Sequence, residues 1–220
     1  MNYNMSNLIP YISAEEYDAV AGEFLRQYYP QALAKPMPVP IEHIAKDIIG
    51  LDLQYVCLSE ELNIYGMTIF SDGEVEIYNP EEELYEIKAF KKKTILIDPL
   101  VVKKTNTGCQ NNTIAHECVH WHKHRLYFKM QQYTLPRQAK YCRCGIGQLP
   151  NATEEENMME NQAVGIAPRI LMPKAPFIYA ATQLNIRYGK DNWKAICQLA
   201  DFYDVSRQSV QIMLEECSLI

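Results

Sequence analysis

Two histidines, His116 and His120, stand four residues apart in a segment that is predicted to form one helix, and Glu117 lies between them. On an α-helix, positions i and i+4 lie about 40° apart around the axis and about 6 Å apart along it. Both imidazoles can therefore turn toward one metal ion at roughly 2.0–2.1 Å. An H-E-x-x-H motif on a helix is the signature of a zinc hydrolase.

The position of Glu117 predicts a different role from that of the histidines. It lies about 100° around the helix from His116, which suits a carboxylate that reaches a water molecule in the site and takes its proton as a general base. The competing interpretation is an amphipathic helix whose histidines share a face by chance. The neighbouring residues Ile114 and Val119 are apolar, however, and imidazoles buried among such residues without a partner would be costly.

A catalytic zinc site needs a third protein ligand and an open position for water. His124 continues the stripe of His116, but on a straight helix it lies about 12 Å further along the axis, so we expect it at the surface or behind a ligand. His122 points to another face and is a weaker candidate. The better source is a second helix, which the capping-box pattern Thr153-Glu-Glu-Glu156 opens.

Glu160 on this second helix is the preferred third ligand. An acid on a buried helix face must be paired, protonated or bound to metal. Glu156, one turn earlier, is the alternative, although capping and the helix dipole already explain an acid there. On a helical projection Glu160 shares a stripe with Ala163, Val164, Ala167 and Leu171.

Three stretches of the chain carry a family resemblance. They are Thr113-Ile-Ala-His-Glu-Cys-Val-His120, Glu160-Asn-Gln-Ala163 and Ile166-Ala167-x-x-Ile170-Leu-Met-Pro173. They resemble the ImmA/IrrE family of gluzincin-like bacterial zinc metallopeptidases, and the resemblance covers most of the chain from about residue 36. It implies Zn²⁺ as the cofactor, with His116, His120 and Glu160 as ligands and Glu117 as the catalytic acid/base. It also implies an endopeptidase that cleaves a helix-turn-helix transcriptional repressor and so switches on mobile-element or stress-response genes.

The chain departs from the family pattern without losing a ligand. Cys118 and Val119 stand where the family has leucine and glycine, and Val164 stands where it has asparagine. Pro168 interrupts the second motif helix and is predicted to kink it about two turns beyond Glu160.

Composition indicates a soluble, cytoplasmic enzyme. The 220 residues are 48% hydrophobic, enough for one substantial core. The sequence has no apolar run of about eighteen residues, and its first ten residues lack the basic and apolar regions of a signal peptide. Seven cysteines without a secreted disulfide framework agree with a reducing compartment.

The predicted fold class is α+β. A zincin-like metallopeptidase domain, with a small antiparallel sheet packed against the H-E-x-x-H helix, is expected over residues 36–190. An N-terminal helical segment, 1–35, precedes it, and a C-terminal subdomain of helix-turn-helix-like helices, 191–220, packs on it. Helices are predicted at 13–29 and 41–49, a hairpin of strands 66–70 and 74–78 around Ser71-Asp72-Gly73, and a third strand at 94–98.

Residues 123–149 form a basic island in a chain whose net charge is −6. They include six cations and no acidic residue, and they could either steer an acidic partner toward the site or form a solvated loop. Within the island, Cys142 and Cys144 could contribute to a second metal site with Cys109 or Cys118, or could be thiols of an ordered loop. The cationic residues are Lys123, Arg125, Lys129, Arg137, Lys140 and Arg143.

The C-terminus raises a different hypothesis. A helix from Trp193 to Phe202, a turn over 203–205 and a helix capped by Ser206 resemble a helix-turn-helix. Residues 191–220 carry a net charge of −3, which is unfavourable for contact with phosphates and favours packing or protein recognition. Three functions therefore remain open: a zinc endopeptidase with a protein substrate, a scaffold that binds a repressor without cutting it, and a DNA-binding regulator with structural zinc.

Overall fold

A computed structural model describes residues 9–101, 107–131, 141–145 and 153–220, and of residues 141–145 it describes the backbone. These residues form a mixed α+β fold. None of the described helices combines the length and apolarity needed to cross a membrane. The helices are α1 Tyr17–Tyr28, α2 Ile41–His43 with a π-helical continuation Ile44–Ile49, α3 Thr107–Val119 with a π-helical continuation His120–His124, α4 Arg125–Gln131, α5 Glu154–Leu171, α6 Lys174–Gln183, α7 Trp193–Tyr203 and α8 Arg207–Glu216.

Local sequence signals fix most of the helix boundaries. Before α1, Ser13 and Glu16 form a capping box, with the Ser13 amide donating to Glu16 Oε2 at 2.9 Å. After α2, Gly50 has a φ of 76°, the left-handed conformation in which helices commonly end. The predictions for both helices are confirmed.

The strands form two sheets. β1 Asp52–Tyr55, β2 Ile64–Ile69, β5 Thr94–Ile97 and β6 Tyr141–Gly145 make a four-stranded sheet in the order β1-β5-β2-β6. β3 Gly73–Asn79 and β4 Leu84–Phe90 make a separate antiparallel hairpin. In the larger sheet β1 runs parallel to β5, whereas β2 runs antiparallel to both of its neighbours.

Two predictions about the strands are wrong. The sheet is mixed rather than antiparallel, because β1 pairs in parallel with β5, a strand that follows it only after three intervening strands. The hairpin around Ser71-Asp72-Gly73 does not form. β2 is buried on both faces and takes a central place, whereas β3 alternates between buried and exposed residues and pairs with β4.

The side chains of β2 alternate between two layers. Met67 and Ile69 pack against the β3–β4 hairpin, in a cluster that includes Val75 and Ile77. The intervening residues Gly66 and Thr68 face α3 on the other side of the sheet. The four-stranded sheet therefore lies between the hairpin and the helix that carries the histidine motif.

One hydrophobic cluster joins the helices. It includes Phe24 of α1, Ile114 of α3, Ile166 of α5 and Leu214 of α8. α1 packs so closely on α5 that a Cβ on Gly165 would overlap the ring of Tyr17. The three segments expected from the sequence thus share one core.

The C-terminal helices confirm the predicted helix-turn-helix arrangement. α7 ends at Asp204, which has a φ of 52°, and Ser206 caps α8 by accepting a hydrogen bond from the Ser209 amide at 3.0 Å. The turn packs on the first turns of α3. There Asn111 Nδ2 donates to both the carbonyl and the carboxylate of Asp204 at 2.9 Å, so these hydrogen bonds hold the turn against α3.

Candidate metal centre

Two helices bring together the three predicted ligands. Neighbouring turns at the end of α3 supply His116 and His120, and α5 supplies Glu160 from the opposite side. Glu160 Oε2 lies 3.1 Å from His116 Nε2, and Glu160 Oε1 lies 3.2 Å from His120 Nε2. The two Nε2 atoms are 2.8 Å apart. Three donor atoms therefore converge on one point, and both histidines are fully buried.

The donor set fits a zinc ion. Tetrahedral coordination at roughly 2.0–2.1 Å separates neighbouring donors by about 3.3 Å, so the triad needs to open by only a few tenths of an ångström. Two imidazoles and one carboxylate form a combination common at catalytic zinc sites, and they leave a fourth position open. Beside them, Glu117 Oε1 is buried and has no hydrogen-bond partner among the described residues. A water molecule in the fourth position would satisfy such an oxygen.

The alternative ligand, Glu156, is occupied elsewhere. Its carboxylate accepts a hydrogen bond from the Thr153 amide at 2.9 Å, and its own amide donates to the Thr153 hydroxyl at 3.1 Å. The predicted capping box is confirmed. The predicted buried stripe is wrong in one place, since Val164 is 61% exposed. Pro168 lies inside the helix, which runs from Glu154 to Leu171.

Glu117 is held from the sheet side. The Thr68 hydroxyl on β2 donates to Glu117 Oε2 at 2.6 Å, which fixes the carboxylate, while Oε1 has no hydrogen-bond partner among the described residues. Two residues before Thr68 on the same strand, Gly66 makes room for the Glu117 side chain. A Cβ on Gly66 would lie 2.9 Å from Glu117 Oε1 and 2.7 Å from Thr113 Cγ2. The sequence did carry a signal for this contact, because a glycine inside a strand often marks a close approach.

The two carboxyl groups have opposite pKa shifts. Burial raises the pKa of Glu117 well above its usual value, and the charge of Glu160 adds to this rise, while the Thr68 hydrogen bond opposes it. Burial also works against ionisation of Glu160, but the two imidazoles beside it outweigh burial and lower its pKa. Environment thus separates the pKa values of the two carboxyl groups, raising that of Glu117 and lowering that of Glu160.

A chain of hydrogen bonds behind His120 sets its tautomer. Gln162 Nε2 donates to the Pro10 carbonyl at 2.8 Å, so Gln162 Oε1 faces His124 and accepts from its Nε2 at 2.9 Å. Burial lowers the pKa of His124 to about 3, which keeps the ring neutral, and its Nδ1 is therefore an acceptor. His120 must donate to it from Nδ1, across 2.9 Å. His120 Nε2 then carries no proton, and its lone pair is available to bind a metal ion together with His116 and Glu160.

His124 therefore orients a ligand, and the alternative of a surface position for it is wrong. We expect His124→Phe to weaken zinc binding about 10–100-fold, because outer hydrogen-bond partners of metal ligands have effects of this size. Competition with a chromophoric chelator measures the affinity. The matched control is His43→Phe, at an exposed histidine that pairs with Asp47 on α2. Equal zinc affinities of the two variants would exclude this role for His124.

The close approach at Gly66 predicts a second effect. Gly66→Ala should lower the free energy of unfolding by about 1–3 kcal/mol, because the new methyl group overlaps the branched side chain of Thr113 as well as Glu117. In Gly22→Ala, the control in α1, the nearest atom outside the helix backbone is Arg26 Nη1 at 3.3 Å, and stability should be unchanged or rise. Urea unfolding measures both variants, and equal stabilities would contradict the predicted overlap.

His122 and Tyr127 are held by contacts with other aromatic rings. His122 packs edge-on against Phe24 and Tyr28 of α1, and burial lowers its pKa to about 4. The Tyr127 ring is buried against Phe128. The side chains of Tyr141, Cys142 and Cys144 lie outside the described residues, as do Arg137, Lys140 and the side chain of Arg143. The backbone places both cysteines on strand β6 rather than in a loop.

No protein-family model and no curated protein matches the chain. Among solved structures, the chain is similar to a Mycobacterium tuberculosis transcriptional regulator, with a TM-score of 0.47 and 14% sequence identity. The match covers 94% of this chain and 47% of the regulator, so the chain spans about half the length of that protein.

Proposed function

We propose that this protein is a zinc-dependent endopeptidase with a zincin-like fold, of the kind found in the ImmA/IrrE family. One observation carries the proposal. Two histidines of one helix and a glutamate of another converge on a single point, while Glu117 next to them is fixed by Thr68 and keeps one buried oxygen free. A merely structural metal site has no need of such a carboxylate.

The roles of the residues follow from this arrangement. Zinc bound by the triad would supply a Lewis acid that polarises the scissile carbonyl and lowers the pKa of water toward 7. Glu117 takes the proton of the attacking water on Oε1, since Oε2 is held by Thr68. Glu117 would then give the proton to the leaving amine. His124 keeps His120 in the tautomer that can bind metal.

The proposed substrate is a helix-turn-helix transcriptional repressor, and cleavage would relieve repression of mobile-element or stress-response genes. The test is incubation of the zinc-loaded protein with the repressor encoded beside it, followed by intact-mass measurement. We expect two fragments from one cut. An intact repressor that stays bound would instead support the non-cleaving anti-repressor scaffold.

A DNA-binding regulator with structural zinc is the remaining alternative. Three observations disfavour it. The turn between α7 and α8 is packed on α3 through Asn111, and Arg207 at the start of α8 lies over the Trp193 ring at 5.6 Å. The segment 191–220 also has a net charge of −3. A gel shift of its own promoter DNA at nanomolar protein, abolished by Arg207→Ala, would establish the regulator.

A further inference from the structure

A cationic pocket lies where β2 ends, and it includes the residue that directly follows the ligand His120 in the chain. Its volume is about 380 Å³, and its basic lining residues are Lys92, Lys93, Arg125 and Lys129. The floor is aromatic, formed by Phe70, which follows β2, and Trp121, which directly follows the ligand His120. The pocket therefore shares the π-helical segment with the ligand His120, and it shares the end of β2 with Thr68, which holds Glu117.

The four cations concentrate positive charge at one pocket, and Asp72, which accepts a hydrogen bond from the Lys92 amide at 2.8 Å, offsets only part of it. None of them has an ion-pair partner within the described part of the chain, whereas their neighbours Lys91 and Lys123 pair with Asp72 and Glu23. In a protein with a net charge of −6, four unpaired cations around one pocket produce a focused positive potential. An anionic ligand would complement it.

The floor distinguishes between classes of anionic ligand. The Phe70 ring is stacked between Trp121, with centroids 5.7 Å apart, and Phe128, with centroids 4.2 Å apart. Because these rings cover one another, they offer no open platform on which a nucleic-acid base could stack. Leu126, in contrast, is 52% exposed at the pocket. The lining therefore suits a segment that combines carboxylates with an aliphatic side chain.

We propose that the cationic pocket binds an acidic segment of the protein substrate and so holds the substrate next to the metal centre. That the partner is a substrate rests on the proposed peptidase function, whereas the preference for an acidic peptide follows from the residues that line the pocket. The segment carries glutamate or aspartate residues for the four cations and an aliphatic residue for Leu126.

Trp121 allows a direct binding test. The chain has two tryptophans, so Trp193→Phe leaves Trp121 as the reporter in the pocket. The probe is a capped octapeptide of glutamate and leucine, and its control has glutamine at every glutamate position. We expect the acidic peptide to change Trp121 emission and to bind about tenfold or more tightly than the control, with an affinity that falls as salt is added.

A charge-removal variant locates the binding. Changing Lys92, Lys93, Arg125 and Lys129 together to glutamine should weaken binding of the acidic peptide about tenfold or more, with zinc content unchanged. The matched control removes four exposed cations elsewhere and should bind like the parent. The control variant changes Lys88, Arg187, Lys190 and Lys194 to glutamine.

Three outcomes of the binding experiments would overturn the proposal: equal binding of the two peptides, equal losses in the two variants, or tighter binding of a single-stranded oligonucleotide than of the acidic peptide. The comparison of the two peptides uses the unaltered pocket, so it still tests the proposal if the charge-removal variant fails to fold. Peptide binding without any repressor cleavage would refute the peptidase and leave the pocket standing. If the charge-removal variant cleaves the repressor with an unchanged KM, the role of the pocket in substrate binding is refuted. The proposed peptidase function is then still supported.

Discussion

Glu117→Gln is expected to slow peptide hydrolysis by about 10²–10⁴-fold, the usual contribution of a positioned general base. An amide cannot take a proton from water, but it keeps the shape of the side chain, and its carbonyl oxygen can still accept the hydrogen bond that Thr68 donates to Glu117 Oε2 in the parent. The variant should bind zinc as the parent does, because Glu117 is not one of the three converging donors. Turnover of the co-encoded repressor, measured beside zinc content, tests both halves of this prediction.

Stability provides the control for Glu117→Gln. Burial disfavours the charged carboxylate, and Oε1 has no hydrogen-bond partner among the described residues. Removing the ionisable group should therefore leave the metal-free Tm unchanged or raise it. A variant that hydrolyses the repressor at the parental rate would rule out Glu117 as the base. A variant that loses its zinc would show instead that Glu117 is a ligand.

Replacement of either motif histidine should remove the metal. The parent is expected to hold about one zinc per chain, and His116→Ala and His120→Ala are expected to hold none, because two donors cannot retain zinc in a site built from three. Glu160→Gln keeps the size of the side chain but loses the anionic charge, so it should weaken zinc binding. Metal analysis after gel filtration measures all three variants.

His43→Ala is the control for these ligand variants, since His43 is an exposed histidine on α2 and lies outside the triad. It should keep about one zinc per chain. Full zinc retention by both motif variants would move the site elsewhere, and Cys109 and Cys118 would then be the first residues to test. If Glu160→Gln kept zinc while Glu117→Gln lost it, the roles of the two glutamates would be exchanged.

The parts of the site that sequence could predict are those within one helix. The four-residue spacing of His116 and His120 follows from helix geometry alone, and the capping box at Thr153 fixes the register of the helix that carries Glu160. The helix-turn-helix at the C-terminus was predictable for the same reason, because its capping and turn signals are local.

Contacts between distant segments were not predictable in this way. Thr68 and Glu117 are 49 residues apart, and Gln162 and Pro10 are 152 residues apart. Their hydrogen bonds depend on how the sheet and the N-terminal segment pack, which no local pattern encodes. The position of His124 was uncertain because it lies at the end of a π-helical segment, whereas the expectation assumed a straight α-helix.

Strand pairing was difficult to predict for a related reason. The residues of β2 and β3 both have the composition of strands, and a turn-forming sequence lies between them. Whether two such strands pair is decided by burial, since β2 is covered on one face by α3 and on the other by the β3–β4 hairpin. That information belongs to the assembled fold.

X-ray absorption spectroscopy of the zinc-loaded protein tests the proposed metal centre most directly. Two imidazole nitrogens and carboxylate and water oxygens should give a first coordination shell of nitrogen and oxygen at roughly 2.0–2.1 Å, with the multiple scattering of two histidines. His120→Ala should remove that spectrum together with the metal. A sulfur shell at about 2.3 Å would contradict a site formed by His116, His120 and Glu160, because it would assign the zinc to cysteines.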